Sequence, residues 1–178
     1  IQNFVNAAVN RVRYFLGFDS TLNSYCQLDT AFTPGGDFKV EIDFSTTTTE
    51  NQVLTDGDSD VELLFRVQSG KLEVWLGNGS GWLVSAFKGV STVTDGKLYK
   101  AGFSKVGNLY SIYLDNVIEA TVTTVGAVTP SVRSLGKRVL NTQYFQGVLA
   151  NPVLTDLATP ANSQAYRLDR PTGNYELP

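Results

Sequence analysis

The chain has 178 residues, of which 17% are charged, and its net charge is −3 at pH 7. No basic segment of the kind that neutralises phosphates is present, so we expect no nucleic-acid partner. Histidine is absent and Cys26 is the only cysteine, which excludes imidazole catalysis, thiolate metal clusters and an intrachain disulfide. No apolar run reaches the roughly 20 residues that span a bilayer, so we expect no membrane insertion.

The first predicted element is a helix over residues 1–17. Its apolar side chains recur at intervals of four, three, four and three, at Ile1, Val5, Ala8, Val12 and Phe15. This spacing forms an apolar stripe along a helix, and Gly17 is a typical stop. Two heptads fall short of the three or four that indicate a coiled coil. Two interpretations stay open: a helix that packs on its own domain, or a neck that joins subunits into a homo-oligomer.

Short strands are predicted from residue 18 onward, because apolar and polar residues alternate with a period of two. The clearest strand is FKVEIDFS, whose core-facing residues are predicted to be Phe38, Val40, Ile42 and Phe44. Tight turns rich in Gly, Asn and Asp are predicted at 68–71, 77–81, 106–108 and 115–116. This spacing indicates an all-β, antiparallel β-sandwich over residues 18–157, with a C-terminal extension or linker over 158–178.

Three stretches carry a resemblance to a known fold family. They are GFDSTLNSYCQLDTAFTPGGDFKVEIDFS (17–45), DGKLYKAGFSKVGNLYSIYLDNVIEATVT (95–123) and RSLGKRVLNTQYFQGVLANPVLTD (133–156). Together they resemble the laminin G-like branch of the concanavalin A-like lectin and glucanase jelly-roll superfamily. The resemblance implies a jelly-roll sandwich. It also suggests a module of the kind found in bacteriophage tail fibres and other virion surface proteins, although this fold hosts many functions.

The pair Glu41 and Asp43 raises the question of catalysis, because jelly-roll glucanases that resemble this fold carry Glu-x-Asp-x-x-Glu on a strand. Thr46 stands at the third position of that signature. A retaining hydrolase needs two carboxyl groups about 5–5.5 Å apart, one of them protonated. The acid/base residue is missing, so we predict no catalytic residue, and we expect both carboxylates to face solvent.

The segment TDGDSDVE places three carboxylates at alternate positions, Asp56, Asp58 and Asp60. Clustered hard oxygen atoms attract Ca²⁺, so this loop is the candidate calcium site. An EF-hand would need Gly and Glu where Val61 and Val67 stand. A solvated acidic turn is the alternative.

Aromatic residues supply the candidate ligand-binding surface. In WLGNGSGW, Trp75 alternates with core positions and should project outward, Trp82 follows a glycine-rich turn, and Asn78 offers hydrogen bonds. Exposed aromatic faces stack on sugar rings. Tyr113 is the further outward-facing aromatic residue, because Tyr110 lies on the opposite, core-facing side of the same strand. The alternative is that the indoles are buried under a neighbouring segment or subunit.

These patterns predict a non-catalytic carbohydrate-binding or receptor-binding module on an extracellular or virion surface. Its partner would be a glycan or cell-surface polysaccharide, its only cofactor Ca²⁺, and its oligomeric state a homotrimer if the first segment forms a neck. A structural capsid or tail decoration, or an assembly domain without glycan binding, is the alternative. A glycoside hydrolase is the third hypothesis.

Overall fold

The computed structural model describes residues 4–6, 11–13, 16–18, 24–57, 62–128, 130–138 and 143–165. The six-stranded sheet has the spatial order β4 (Cys26–Phe32), β13 (Val132–Leu135), β6 (Gln52–Asp56), β7 (Leu63–Gln68), β8 (Lys71–Gly77) and β9 (Trp82–Lys88). The seven-stranded sheet has the order β12 (Val117–Thr123), β11 (Leu109–Leu114), β10 (Tyr99–Val106), β5 (Phe38–Ser45), β14 (Gly147–Asp156) and β15 (Gln164–Ala165), and β3 (Leu16–Phe18) also pairs with β14. Every strand pair among these residues is antiparallel.

The helix predicted over residues 1–17 is wrong. Within the described part of that segment, β1 (Phe4–Asn6) pairs antiparallel with β2 (Arg11–Arg13), and β3 pairs with β14. A short amphipathic helix is marginal by itself and depends on a packing partner. Here β1 and β2 pair with each other in a sheet of their own, and only β3 pairs with the edge of β14, so backbone pairing between strands replaces the helix in the described residues. The trimer hypothesis therefore loses the helical seam that motivated it.

The two sheets enclose one aromatic-rich core. All four predicted inward residues of β5 are fully buried: Phe38, Val40, Ile42 and Phe44. Phe103 of β10 lies 5.9 Å from Phe38 in its own sheet and 6.4 Å from Phe65 of the six-stranded sheet, measured between ring centroids. Burying each such ring contributes about 1.5–3 kcal/mol. Contacts of this kind hold the sheets face to face, as predicted for a sandwich.

The tight hairpins are also where the sequence predicts them. Asp115 and Asn116 join β11 to β12 with φ of +50° and +69°. Ser69 and Gly70 join β7 to β8 with φ of +55° and +73°. Positive φ at both central residues matches the twist of antiparallel strands. The hairpin between β7 and β8 sets the cross-strand neighbours of the surface described next.

Candidate functional site

The two tryptophans meet on the outer face of the six-stranded sheet. Trp75 of β8 is half-buried and projects away from the core, as predicted, because its neighbours Val74 and Leu76 are fully buried inward. Trp82 begins β9 opposite Gly77, which makes it a diagonal neighbour of Trp75. The ring centroids lie 5.5 Å apart and the planes are inclined by 70°. The result is an edge-to-face indole pair that is partly open to solvent.

Asn78 shapes the turn between the two tryptophans. Its side-chain oxygen Oδ1 accepts hydrogen bonds from the backbone N–H groups of Ser80 at 3.0 Å and Gly81 at 2.9 Å. Its own backbone N–H donates to the carbonyl oxygen of Gly81 at 3.1 Å. The carbonyl end of this side chain is therefore engaged within the loop. Asn78 contributes to the site by fixing the path from Trp75 to Trp82.

Glu73 lies at the centre of the surface, on the same face of β8 as Trp75, and its side chain is only 2% exposed. Its atom Oε1 accepts hydrogen bonds from Trp75 Nε1 at 2.7 Å and from Arg66 Nε and Nη2 at 2.9 and 2.7 Å. Its atom Oε2 lies 3.2 Å from Lys88 Nζ. Arg66 and Lys88 stand directly opposite Glu73 on the two neighbouring strands. We call Arg66, Glu73, Trp75, Trp82 and Lys88 the indole platform.

Two opposing effects act on the ionisation of Glu73. Burial raises the pKa of its carboxyl group, whereas the hydrogen bonds from Trp75 and Arg66, the charge of Arg66 and the contact with Lys88 lower it. The net result is a pKa below the ordinary glutamate value. Glu73 is therefore an ionised carboxylate at neutral pH, with both oxygen atoms engaged.

An apolar floor lies beneath the platform. Leu64 of β7 is directly opposite Trp75, and it is only 2% exposed although it alternates with the core residues Leu63 and Phe65. A leucine buried on the outer face of a sheet needs a cover, and the large side chain opposite it is the Trp75 indole. Leu64 and Trp75 are therefore cross-strand neighbours on one face of the sheet, and the buried leucine lies beside the indole.

The predicted calcium loop begins beside this floor. Asp56 ends β6 opposite Leu64 and is buried, whereas Asp58 and Asp60 lie outside the described residues. Among the residues that the structure describes, no group of three or more Asp, Glu, Cys or His side chains is placed to hold a metal ion. The described residues alone do not form a calcium site, and the calcium hypothesis stays a prediction.

Tyr113 occupies the outer face of the other sheet. Its ring leans over Gly102 on the neighbouring strand, where a Cβ would lie 3.6 Å from its Cδ2 atom. Its hydroxyl lies 3.1 Å from Ser104 Oγ, and Lys39 Nζ lies 5.2 Å from the ring centroid. The structure thus separates the predicted aromatic residues into two sets on opposite outer faces, and one small ligand cannot contact both.

The carboxylates of β5 are held in structural contacts. Glu41 forms an ion pair with Lys39 at 3.0 Å. Asp43 is 5% exposed, so the prediction that it faces solvent is wrong. The reason is an irregularity in β14 that places Asn151, at φ +47°, where its Nδ2 donates to Asp43 Oδ2 at 2.8 Å. Thr46 is buried too, and its hydroxyl donates to the carbonyl oxygen of residue 146 at 2.7 Å.

Sequence reasoning missed Arg66, Glu73 and Lys88. One signal for Glu73 was present, because it is the charged residue two positions before Trp75 in the apolar strand KLEVWLG. A period of two places both on one face. Identifying the partners of Glu73 on β7 and β9 would have required the register of two hairpins. One of these hairpins contains irregularities between Val74 and Gly77.

Comparison with solved structures identifies the fold. The chain superposes on domains LG4–5 of the mouse laminin α1 chain with a TM-score of 0.58 and 13% identity, covering 82% of this chain and 44% of that one. It superposes on a Bacteroides ovatus protein, provisionally described as carbohydrate binding, with a TM-score of 0.64 and 12% identity, covering 90% and 52%. The chain thus spans about half the length of these structures.

No protein-family model and no curated protein sequence matches the chain. In the described parts, no helix has the length and apolar character that a membrane crossing requires. The topology, the core and the superpositions agree with one another. The chain has an antiparallel two-sheet β-sandwich fold, similar to the folds of the laminin domains and of the Bacteroides ovatus structure.

Proposed function

We propose that this domain is a non-catalytic carbohydrate-binding module whose binding surface is the indole platform. The observation that carries the proposal is the Trp75–Trp82 pair, which is edge-to-face and half-buried, with Trp75 opposite the buried Leu64. Aromatic rings held in this way offer an apolar face to the C–H groups of a sugar ring. Polar groups at the rim then supply orientation.

Hydrogen-bond donors dominate the rim of the platform. Lys88 is 37% exposed, and its ammonium group has three donors, of which Glu73 takes one. The indole N–H of the half-buried Trp82 is a further donor. Glu73 accepts several hydrogen bonds already. A saccharide would complement this excess of donors, because its ring, hydroxyl and carboxylate oxygen atoms accept hydrogen bonds.

The fold supports the same proposal in general terms. The Bacteroides ovatus structure with the same fold is provisionally described as a carbohydrate-binding protein. In this chain, the carboxylates of β5 serve ion pairs and hydrogen bonds, which supports recognition in place of hydrolysis. We propose that the domain lies on a surface that contacts polysaccharide. This surface is either extracellular or part of a virion, such as a phage tail fibre.

An assembly domain is the second candidate, and exposed apolar residues on an edge strand favour it. Val117 and Ile118 of β12 are 66% and 56% exposed, and β12 is the outermost strand of its sheet. Exposed apolar residues on a sheet edge favour association with another chain. Light scattering tests this candidate: a monomer at high concentration contradicts both the homotrimer and any other self-assembly.

The function is tested on an array of glycans and bacterial polysaccharides, with calcium and with chelator. Trp75→Ala and Trp82→Ala are each expected to weaken specific binding about tenfold or more, since loss of stacking and buried area amounts to roughly 1.5 kcal/mol. Tyr113→Ala is the matched control, because it removes an aromatic ring from the opposite face, and its affinity should stay within about twofold of wild type.

The outcomes of this experiment separate the hypotheses. Binding lost in the tryptophan variants alone supports the indole platform, whereas binding lost in Tyr113→Ala moves the site to the seven-stranded sheet. An array without binding on folded protein favours the assembly domain. Loss of binding with chelator, reproduced by Asp58→Asn, assigns Ca²⁺ to the Asp56–Asp60 loop, and unchanged binding assigns that loop as a solvated turn.

A further inference from the structure

An indole on the face of a strand is not rigid by default. Two side-chain torsions are open to it, and a ligand that stacks on it must immobilise it. Immobilising one such side chain costs about 2- to 12-fold in affinity. A binding surface built on Trp75 would therefore gain from any contact that holds the ring before the ligand arrives.

Glu73 is anchored more firmly than any other polar group of the platform. Its carboxylate is 2% exposed and bridges two cations from the strands on either side. Two nitrogen atoms of Arg66 contact the same oxygen atom, at 2.9 and 2.7 Å. Charge-assisted contacts of this kind are short and directional. The position of Oε1 is thus set by the sheet on both sides.

Trp75 forms a hydrogen bond to this oxygen atom through the only polar atom of its side chain. Trp75 Nε1 donates to Glu73 Oε1 at 2.7 Å, and the edge-to-face contact with Trp82 at 5.5 Å holds the ring at a second point. An indole N–H bond and a ring contact together leave little rotational freedom about either torsion. The orientation of Trp75 is therefore determined by Glu73 on one side and Trp82 on the other.

The buried charge of Glu73 contributes little to the stability of the fold. Burying a carboxylate is costly, and a buried ion pair contributes little to stability relative to apolar residues of the same size. An apolar residue at position 73 would extend the apolar floor at Leu64 and Val53, which is also buried on this side of the sheet. The carboxylate adds a fixed acceptor for the indole, which an apolar residue cannot supply.

We propose that Glu73 is the positioning residue of the indole platform, which holds Trp75 in its binding orientation and thereby increases affinity for saccharide. This inference rests on the proposed function for its second half only. The first half concerns the orientation of one indole and is measurable without any ligand.

The experiment compares the exciton couplet of the two indoles in circular dichroism with saccharide affinity. The chain has two tryptophans, so the couplet reports their mutual orientation, and Trp82→Ala defines its absence. Glu73→Leu is expected to lose most of the couplet and to weaken binding about 5- to 12-fold. Glu73→Gln keeps an amide oxygen that can accept from Trp75, and it should retain the couplet and most of the affinity.

Glu119→Gln is the matched control for a carboxylate with a purely structural role. Glu119 accepts hydrogen bonds from the N–H groups of Val90 and Ser91 at 2.9 and 2.7 Å, away from either indole. This variant should lower stability and leave the couplet and affinity unchanged. Trp75→Phe provides a second measurement should Glu73→Leu fail to fold. It keeps an aromatic ring without the N–H, and its affinity should fall about as far as that of Glu73→Leu.

An unchanged couplet and unchanged affinity in Glu73→Leu overturn the proposal, as does full affinity in Trp75→Phe. Equal loss in Glu73→Gln and Glu73→Leu also overturns it, because a retained acceptor should rescue the orientation. A wild-type protein that binds no saccharide overturns the proposed function and the affinity half of the inference. The couplet then still decides whether Glu73 orients Trp75.

Discussion

Replacing Tyr110 by phenylalanine should stabilise this domain. Tyr110 is fully buried between the sheets, and its hydroxyl has no hydrogen-bond partner among the described residues. Its ring stacks on Phe103 with the centroids 6.3 Å apart and the planes at 18°. Phenylalanine keeps that stacking and removes only the hydroxyl.

The expected gain follows from two opposing contributions. An unpaired buried hydroxyl costs about 1–3 kcal/mol relative to water. The void left by one oxygen atom, about 15 Å³, costs about 0.4 kcal/mol at about 24 cal/mol per Å³. The free energy of unfolding should therefore rise by about 1 kcal/mol, which raises the midpoint of thermal unfolding by about 2–4 °C in a chain of this length.

The difference between the two proteins should also depend on pH. Burial, together with the charge of Asp37, raises the pKa of Tyr110 above its ordinary value of 10.0. Wild type therefore keeps its neutral-pH stability below pH 10.0 and loses stability as the pH rises through the folded-state pKa, because ionisation of the buried phenol is unfavourable. Phenylalanine does not ionise, so the advantage of Tyr110→Phe should widen above pH 10.

Urea unfolding at neutral and alkaline pH measures both effects. Tyr113→Phe is the control, because the Tyr113 hydroxyl is within hydrogen-bond distance of Ser104 and its removal should cost about 0.5–1.5 kcal/mol. A Tyr110→Phe protein that is less stable than wild type by more than about 1 kcal/mol would refute the reasoning. It would mean that the hydroxyl is satisfied, for example by a trapped water molecule.

Two further predictions concern the backbone and the surface charges. Gly147 has φ of +140°, and a Cβ there would collide with the carbonyl oxygen of Ser45, so Gly147→Ala should lower the free energy of unfolding by more than about 2 kcal/mol. Gly81→Ala, which has open space, should change it by less than about 0.5 kcal/mol, and equal effects in urea unfolding would contradict this explanation. The hydrogen bond from Lys97 lowers the pKa of Asp95 from 3.8 to about 2; the stability that ionised Asp95 contributes is present above pH 3.8 and lost as the pH falls through about 2. The difference between wild type and Asp95→Asn in acid unfolding should vanish over this range, and a constant difference would contradict the assignment.

The strands were predictable because their periodicity is local. The alternation in FKVEIDFS is unbroken, and all four of its apolar residues are fully buried. The Asp115–Asn116 turn was predictable for the same reason, since both residues tolerate positive φ. The strands within residues 1–17 were not predictable in this way. A spacing of four and three indicates which residues a helix would bury, but it does not show whether a partner strand is available for pairing. For β3 the choice depended on β14, more than a hundred residues away, whereas β1 and β2 pair with each other.

The candidate site was predictable only in part. The outward direction of Trp75 and Tyr113 followed from alternation within single strands. Their separation onto opposite faces, and the contacts of Glu73 with Arg66 and Lys88, depend on which strands pair and in which register. The burial of Asp43 depended on an irregularity in β14. Long-range register of this kind is not encoded in any one stretch of sequence.

The most direct test of the binding surface is a saccharide titration followed by the indole N–H resonances in an amide correlation spectrum. The two tryptophans give two such signals, and the backbone N–H of Gly102 reports on the opposite face beside Tyr113. Using the best ligand from the array, we expect both indole signals to shift with one common dissociation constant while Gly102 stays unchanged. Shifts centred on Gly102, or a specific ligand that moves neither indole signal, would contradict the assignment of the indole platform as the carbohydrate-binding surface.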